Sequence, residues 1–143
     1  MSITEALHQQ IHQITELNNV LTNLLAERAL CDAELTSELF FRYIDSVRHH
    51  LNNTENAVFA ELLVHADSEQ TKMVENFIDG SHEIRLIFTQ FSKRWCRNNQ
   101  LQIKNYGEFY KDTMEVFNLV LRRLNDETEK LFPLVKQRDA AAA

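Results

Sequence analysis

Three ionisable residues fall on the apolar stripes of helical segments: His50, His82 and Glu127. Periodicity sets His50 beside Leu51, His82 in a line with Val74, Ile78 and Leu86 that continues to Phe88, Phe91 and Trp95, and Glu127 between Leu124 and Leu131. Two imidazoles and a carboxylate meeting inside a helical bundle would suit a ferrous, zinc or other divalent ion, with positions left open for water or a small ligand. A carboxylate aimed at an apolar core has to be matched in any case, because unpaired it is costly to bury. Arg123 stands one helical turn before Glu127 and offers a second solution, an ion pair along the helix. Two answers stand at this level: Glu127 shares a metal with His50 and His82, or it pairs with Arg123.

The other reactive side chains have simpler roles. His8 and His12 form an i, i+4 pair, but they lie off the Leu7–Ile11–Leu21 stripe and should face water. His49 should face solvent beside His50, and His65 ends a helix, where an imidazolium suits the dipole. Asp79 and Glu83 flank His82 and would orient it if it were a ligand. Cys31 and Cys96 are expected as reduced thiols, with Cys96 a packing residue beside Trp95. There is no glycine-rich phosphate loop, no Ser-His-Asp set and no CxxC pair.

The elements that must position these groups are helices. The chain has 143 residues, with only two Gly and one Pro, too few chain-breakers for a hairpin-rich fold. Four amphipathic segments can be read. The first, about residues 4–30, carries Leu7, Ile11, Ile14, Leu17, Leu21 and Leu24/Leu25. The second, about 35–65, carries Leu39/Phe40, Tyr43/Ile44, Val47, His50/Leu51, Thr54, Val58 and Leu62. Asp67 or Ser68 can cap the third, about 68–97, whose internal Gly80 implies a close approach or a bend. The polar link "NNQLQIKN" leads to Asn105, a cap for the fourth, which runs to about Lys136 with Pro133 ending or kinking its last turns. Four such segments with short links predict an all-α fold, an up-down-up-down four-helix bundle, as one domain over residues 1–137. Residues 138–143 read as a frayed tail or a cloning scar.

Net charge of −6 argues against nucleic acid as a partner. The basic cluster in "SKRWCRNN" instead decorates a helix end, where cations suit the dipole. The polar N-terminus "MSITEALHQQIHQ" does not resemble a signal peptide, and no apolar run is long enough for a membrane span. A cytoplasmic protein without membrane association is expected.

The chain resembles the hemerythrin-like "HHE" cation-binding bundles. In that family the second and fourth helices carry a histidine, a carboxylate one turn on, and then "LFP". The fourth segment here, "RRLNDETEKLFPL", matches at Glu127 and Leu131-Phe132-Pro133; the second, "RHHLNNTENAVFAEL", matches at His50 and Phe59, with Ala60 in place of proline. "GSHEIRLIFTQF" is similar to the third helix, with His82 as its histidine, and "TELNNVLTNLL" to the first, with Leu17 where histidine is expected. Of the family's usual ligand positions His50, His82 and Glu127 remain, while Leu17, Thr54 and Arg123 replace a histidine, a glutamate and a histidine.

The resemblance implies a reduced metal site at His50, His82 and Glu127, holding at most one iron or other divalent metal. It further implies a binding or sensing role with a small diatomic ligand, regulatory rather than oxygen-carrying, because half of a two-iron ligand set is missing. The alternative is a metal-free bundle acting as an interaction or regulatory protein, with Arg123 paired to Glu127. Phe41 or Leu101 would then contribute to a homodimer or a protein-partner surface. An enzyme using two histidines and one carboxylate is the third and least supported expectation.

Overall fold

A computed structural model describes residues 2–142, with the side chain of Ala142 left aside. The fold is all-α apart from one small hairpin. Helix α1 spans Ile3–Leu25, α2 Arg28–Cys31, α3 Glu34–Thr54, α4 Ala60–His65, α5 Ser68–Trp95, α6 Tyr106–Asp126 and α7 Phe132–Ala142. Two π-helical turns, Glu55–Phe59 and Glu127–Leu131, join α3 to α4 and α6 to α7 without a break. Among the described residues no helix is long and apolar enough to cross a membrane.

Local chemistry sets most helix starts. Ser2 caps α1 by accepting from the Glu5 N–H, and Asn105 caps α6 by accepting from Glu108. Asp67 and Gln70 form a reciprocal capping box at α5. The expected first helix to residue 30 is cut short at Leu25, where the chain turns extended at Glu27 before α2. Tertiary bonding favours the break: the Tyr106 hydroxyl donates to the Leu25 carbonyl at 2.7 Å, and Thr36 donates to that of Leu30 at 2.7 Å.

The link after α5 is not merely polar. Cys96–Arg97 and Gln100–Leu101 pair antiparallel, and Asn98 and Asn99 between them have φ of 54° and 59°. A two-residue hairpin turn of this hand needs positive φ at both positions, which asparagine tolerates better than most residues. The hairpin also turns Leu101 inward, so this residue is core rather than the surface contact expected from sequence.

Two apolar clusters fill the interior. The larger is built around Phe40, Tyr43, Phe88, Phe109 and Phe117, and the smaller around Leu7, Phe59, Val74, Phe77, Leu131 and Phe132. The π turns aim the second cluster. A threonine hydroxyl donates back to a carbonyl four residues earlier at each, Thr54 to His50 just before the first and Thr128 to Leu124 within the second. A π turn takes up one extra residue, so the face of the following helix rotates by about 100°. Phe59 and Leu62, and likewise Phe132 and Val135, are thereby turned inward. The helix continues past Pro133 to Ala142 instead of ending there. Residues 138–142, expected as a tail, are helical, and Arg138 donates to the Glu61 carbonyl at 3.0 Å.

The two halves carry a matching pattern. His50, Thr54 and Phe59 stand in the same order and spacing around the first π turn as Arg123, Glu127 and Phe132 around the second.

Candidate buried ionic layer

Between the two apolar clusters the four long helices contribute a chain of polar groups, all buried except the half-buried Gln10. Gln10 comes from α1, His50 from α3, Ser81 from α5 and Arg123 from α6, and Glu127 opens the second π turn. His50 Nδ1 lies 2.7 Å from Gln10 Oε1, and His50 Nε2 lies 2.6 Å from Glu127 Oε1. An ionised carboxylate only accepts, so His50 Nε2 is the donor to Glu127, and the Gln10 amide can serve Nδ1 with either end, its oxygen accepting or its nitrogen donating. Arg123 Nε donates to the second carboxylate oxygen, Oε2, at 2.7 Å. The same guanidinium donates through its two terminal nitrogens to the Phe77 carbonyl and to Ser81 Oγ, each at 2.8 Å.

His50 and Glu127 have no solvent exposure, and Arg123 has 7%. Among the described residues no buried side-chain nitrogen or oxygen lacks a hydrogen-bond partner. The layer therefore meets the condition under which buried charge is tolerated: opposite charges in contact, with remaining donors and acceptors satisfied. The Phe77 ring adds a face to the cation, its centroid 5.0 Å from the guanidinium carbon.

Gly80 makes room for this arrangement. A Cβ placed there would lie 3.0 Å from a terminal nitrogen of Arg123, so the close approach implied by the glycine is made by the guanidinium. Substituting Ala for Gly inside a helix ordinarily gains about 1 kcal/mol. Here the nitrogen is pinned by the Phe77 carbonyl and cannot easily retreat. Gly80→Ala is therefore expected to forfeit that gain and lower stability by about 1 kcal/mol, measured as a shift of the urea midpoint.

The three residues proposed from sequence as metal ligands do not converge. His50 and Glu127 meet, but His82 is exposed on α5. The buried line of that helix is Val74, Phe77, Ser81, Ile84, Phe88, Phe91 and Trp95, so the expected face holds at Val74 and from Phe88 to Trp95 but is out of phase between them, at Ile78, His82 and Leu86. Leu86 is 57% exposed. Among the described residues no three of His, Cys, Asp and Glu group as a ligand set. The pair that does meet is poorly disposed toward a cation. His50 and Glu127 are in direct hydrogen bond, and the free edge of the carboxylate faces a guanidinium. Side chains that are already each other's partners, with Arg123 beside them, do not fit a divalent ion in this arrangement.

Gln10 and Ser81 were not anticipated. Gln10 had a signal, since it falls on the Leu7–Ile14 face; Ser81 became visible only with the phase of α5. A second buried polar contact, Asn18 donating to the Tyr43 hydroxyl at 3.2 Å, lies elsewhere in the interior. Burial holds the Tyr43 phenol well above its ordinary range, with the Asn18 bond opposing it. Cys96 is half-buried, and desolvation pushes its thiol up to about 11 against a smaller opposing bond from Ser92. That favours the protonated, unreactive form. His12 is paired with Glu16 at 3.0 Å on the surface, while His49 and His65 are exposed.

Comparison with known proteins finds no family model that matches the chain, no similar curated protein and no similar solved structure.

Proposed function

We propose that this chain is an up-down-up-down four-helix bundle of hemerythrin-like architecture whose metal layer has been taken over by an ion pair, and that it works as an interaction or regulatory module. The observation that carries this is the 2.7 Å contact from Arg123 Nε to Glu127 Oε2, made while His50 holds the other carboxylate oxygen. A guanidinium there supplies the positive charge that a cation would otherwise bring to the carboxylate. In this proposal the metal set of His50, His82 and Glu127, with its iron and diatomic ligand, gives way to the metal-free alternative. With the buried layer fully partnered, no buried polar side chain among the described residues is left over for a ligand, and recognition falls to the surface.

Metal content decides the point. Protein purified without oxygen or chelator, then offered ferrous iron, zinc and manganese, is expected to retain none in stoichiometric amount by mass spectrometry. Near-stoichiometric metal that disappears in His50→Ala would overturn the proposal and restore a reduced metal site.

A further inference from the structure

One cation of this chain is built into the interior and still opens on the surface. Arg123 is the one buried lysine or arginine among the described residues. A guanidinium carries five N–H groups in a fixed plane. Three of them have protein acceptors, at Glu127, the Phe77 carbonyl and Ser81. The described residues offer none to the other two, one on each terminal nitrogen. Every nitrogen of the group is partnered, yet its capacity to donate is not used up.

These terminal nitrogens border a groove. Arg123 and Gly80 both line a cleft of about 450 Å³ between α5 and α6, a size that suits one small molecule. Apart from its chain neighbours, a Cβ at position 80 would meet only Nη1 of Arg123, at 3.0 Å. Glycine thus leaves that nitrogen uncovered on the groove side, where any other residue would cap it. Met73, Phe77, Ile84 and Leu119 give the cleft apolar walls, and it continues past Leu119 toward Ile87 and Val116. Its rim carries Arg122 and Lys130 against Glu83 and Asp126, with Lys130 3.8 Å from Asp126. With the rim charges balanced, the attraction for an anion comes from the donors at the floor. That suits a single negative charge, while the two acids count against a dianion such as phosphate.

We propose that this cleft binds a small monocarboxylate with an apolar tail. Its carboxylate accepts from the two free N–H groups of Arg123, and its tail lies along Leu119 toward Ile87. The guanidinium then serves two carboxylates at once, Glu127 through Nε and the ligand through its terminal nitrogens. The inference rests on the metal-free reading above, in which Arg123 holds Glu127, and it gives that module a ligand.

Titration of isotope-labelled protein of measured metal content with sodium hexanoate, followed by NMR, tests it. Hexanoate is expected to shift the Arg123 Nε–H and the backbone amides around Gly80 and Leu119 saturably, with millimolar or tighter affinity. Hexanamide keeps the tail and loses the charge, whereas acetate keeps the charge and loses the tail. Each should bind at least about 10-fold more weakly than hexanoate, and inorganic phosphate should be weaker by a similar factor. Gly80→Ala, whose methyl group covers Nη1, should also lose at least about 10-fold. Leu86→Ala, on the outer face of the same helix, should bind like wild type. Metal-free wild type that shows no saturable shift with hexanoate would overturn this inference and leave the ion-pair reading standing. So would Gly80→Ala binding as well as wild type, or any other probe binding as well as hexanoate. Stoichiometric metal in the starting protein would instead overturn the ion-pair reading, and this inference with it.

Discussion

Arg123→Met is expected to destabilise the protein by about 3–5 kcal/mol, the range for removing one partner from a buried ion pair. Methionine preserves much of the volume, so the loss is electrostatic rather than a cavity. Glu127 Oε2 loses its cation, and the Phe77 carbonyl and Ser81 hydroxyl lose their donors. Urea unfolding followed by circular dichroism should show a lower midpoint with an unchanged slope. Glu127→Gln should cost less, about 1–2 kcal/mol. Its amide still offers an oxygen to Arg123, whose guanidinium borders the outer groove between α5 and α6, where water reaches it. The double variant should lose less than the sum of the two, because neighbours in one network are coupled. Equal stability of Arg123→Met and wild type would show that the ion pair does not form.

Phe117→Ala should lose a comparable amount for a different reason. Phe117 is 1% exposed, and its ring meets Tyr43 edge-on at 4.9 Å with Phe40 at 6.4 Å. Truncating a buried phenylalanine costs about 3–5 kcal/mol, part transfer and part unfilled cavity. Loss of an aromatic pair contributes about 0.5–1.5 kcal/mol beyond the buried area. The near-ultraviolet circular dichroism of the aromatic cluster should weaken alongside the lowered urea midpoint. Leu86→Ala serves as the control, because a largely exposed leucine should change stability by no more than about 0.5 kcal/mol. A large loss at Leu86 with a small one at Phe117 would mean that α5 and α6 are packed on other faces.

Much of this organisation was legible in the chain, and the misses have definite causes. The apolar lines through Leu7, Ile14 and Leu21 and through Phe40, Val47 and His50 are regular enough to fix the phase of α1 and α3. Asp67 and Asn105 mark helix starts by capping chemistry that sequence displays directly. In α5 apolar residues occupy two adjacent phases. Ile78 and Leu86 suggest one, but the line that leads through Phe77, Ser81 and Ile84 to the expected Phe88, Phe91 and Trp95 takes the core and turns His82 out. The aromatic weight of the second phase was the available clue. Asn98-Asn99 is a turn signal set inside a stretch polar enough to read as a plain link. Arg123 was accessible because its partner lies one turn away in the same helix. Gln10 reaches His50 from forty residues away in sequence, a contact that only tertiary packing creates.

The π turns bear on how the chain tolerates changes of length. A helix with a surplus residue already absorbed in one wide turn has a register on each side that is correct only for that count. Deleting a residue within 55–59 or 127–131 would let an ordinary helix run through and rotate everything beyond it by about 100°. Phe59 and Leu62, or Phe132 and Val135, would be turned away from the smaller cluster they now close. Point substitutions at the exposed positions Asn56, Ala57 and Glu129 touch only the surface, yet deletion at the same positions reaches the interior. In hereditary terms these exposed positions should drift freely in letter, while the segments that hold them hardly change in length.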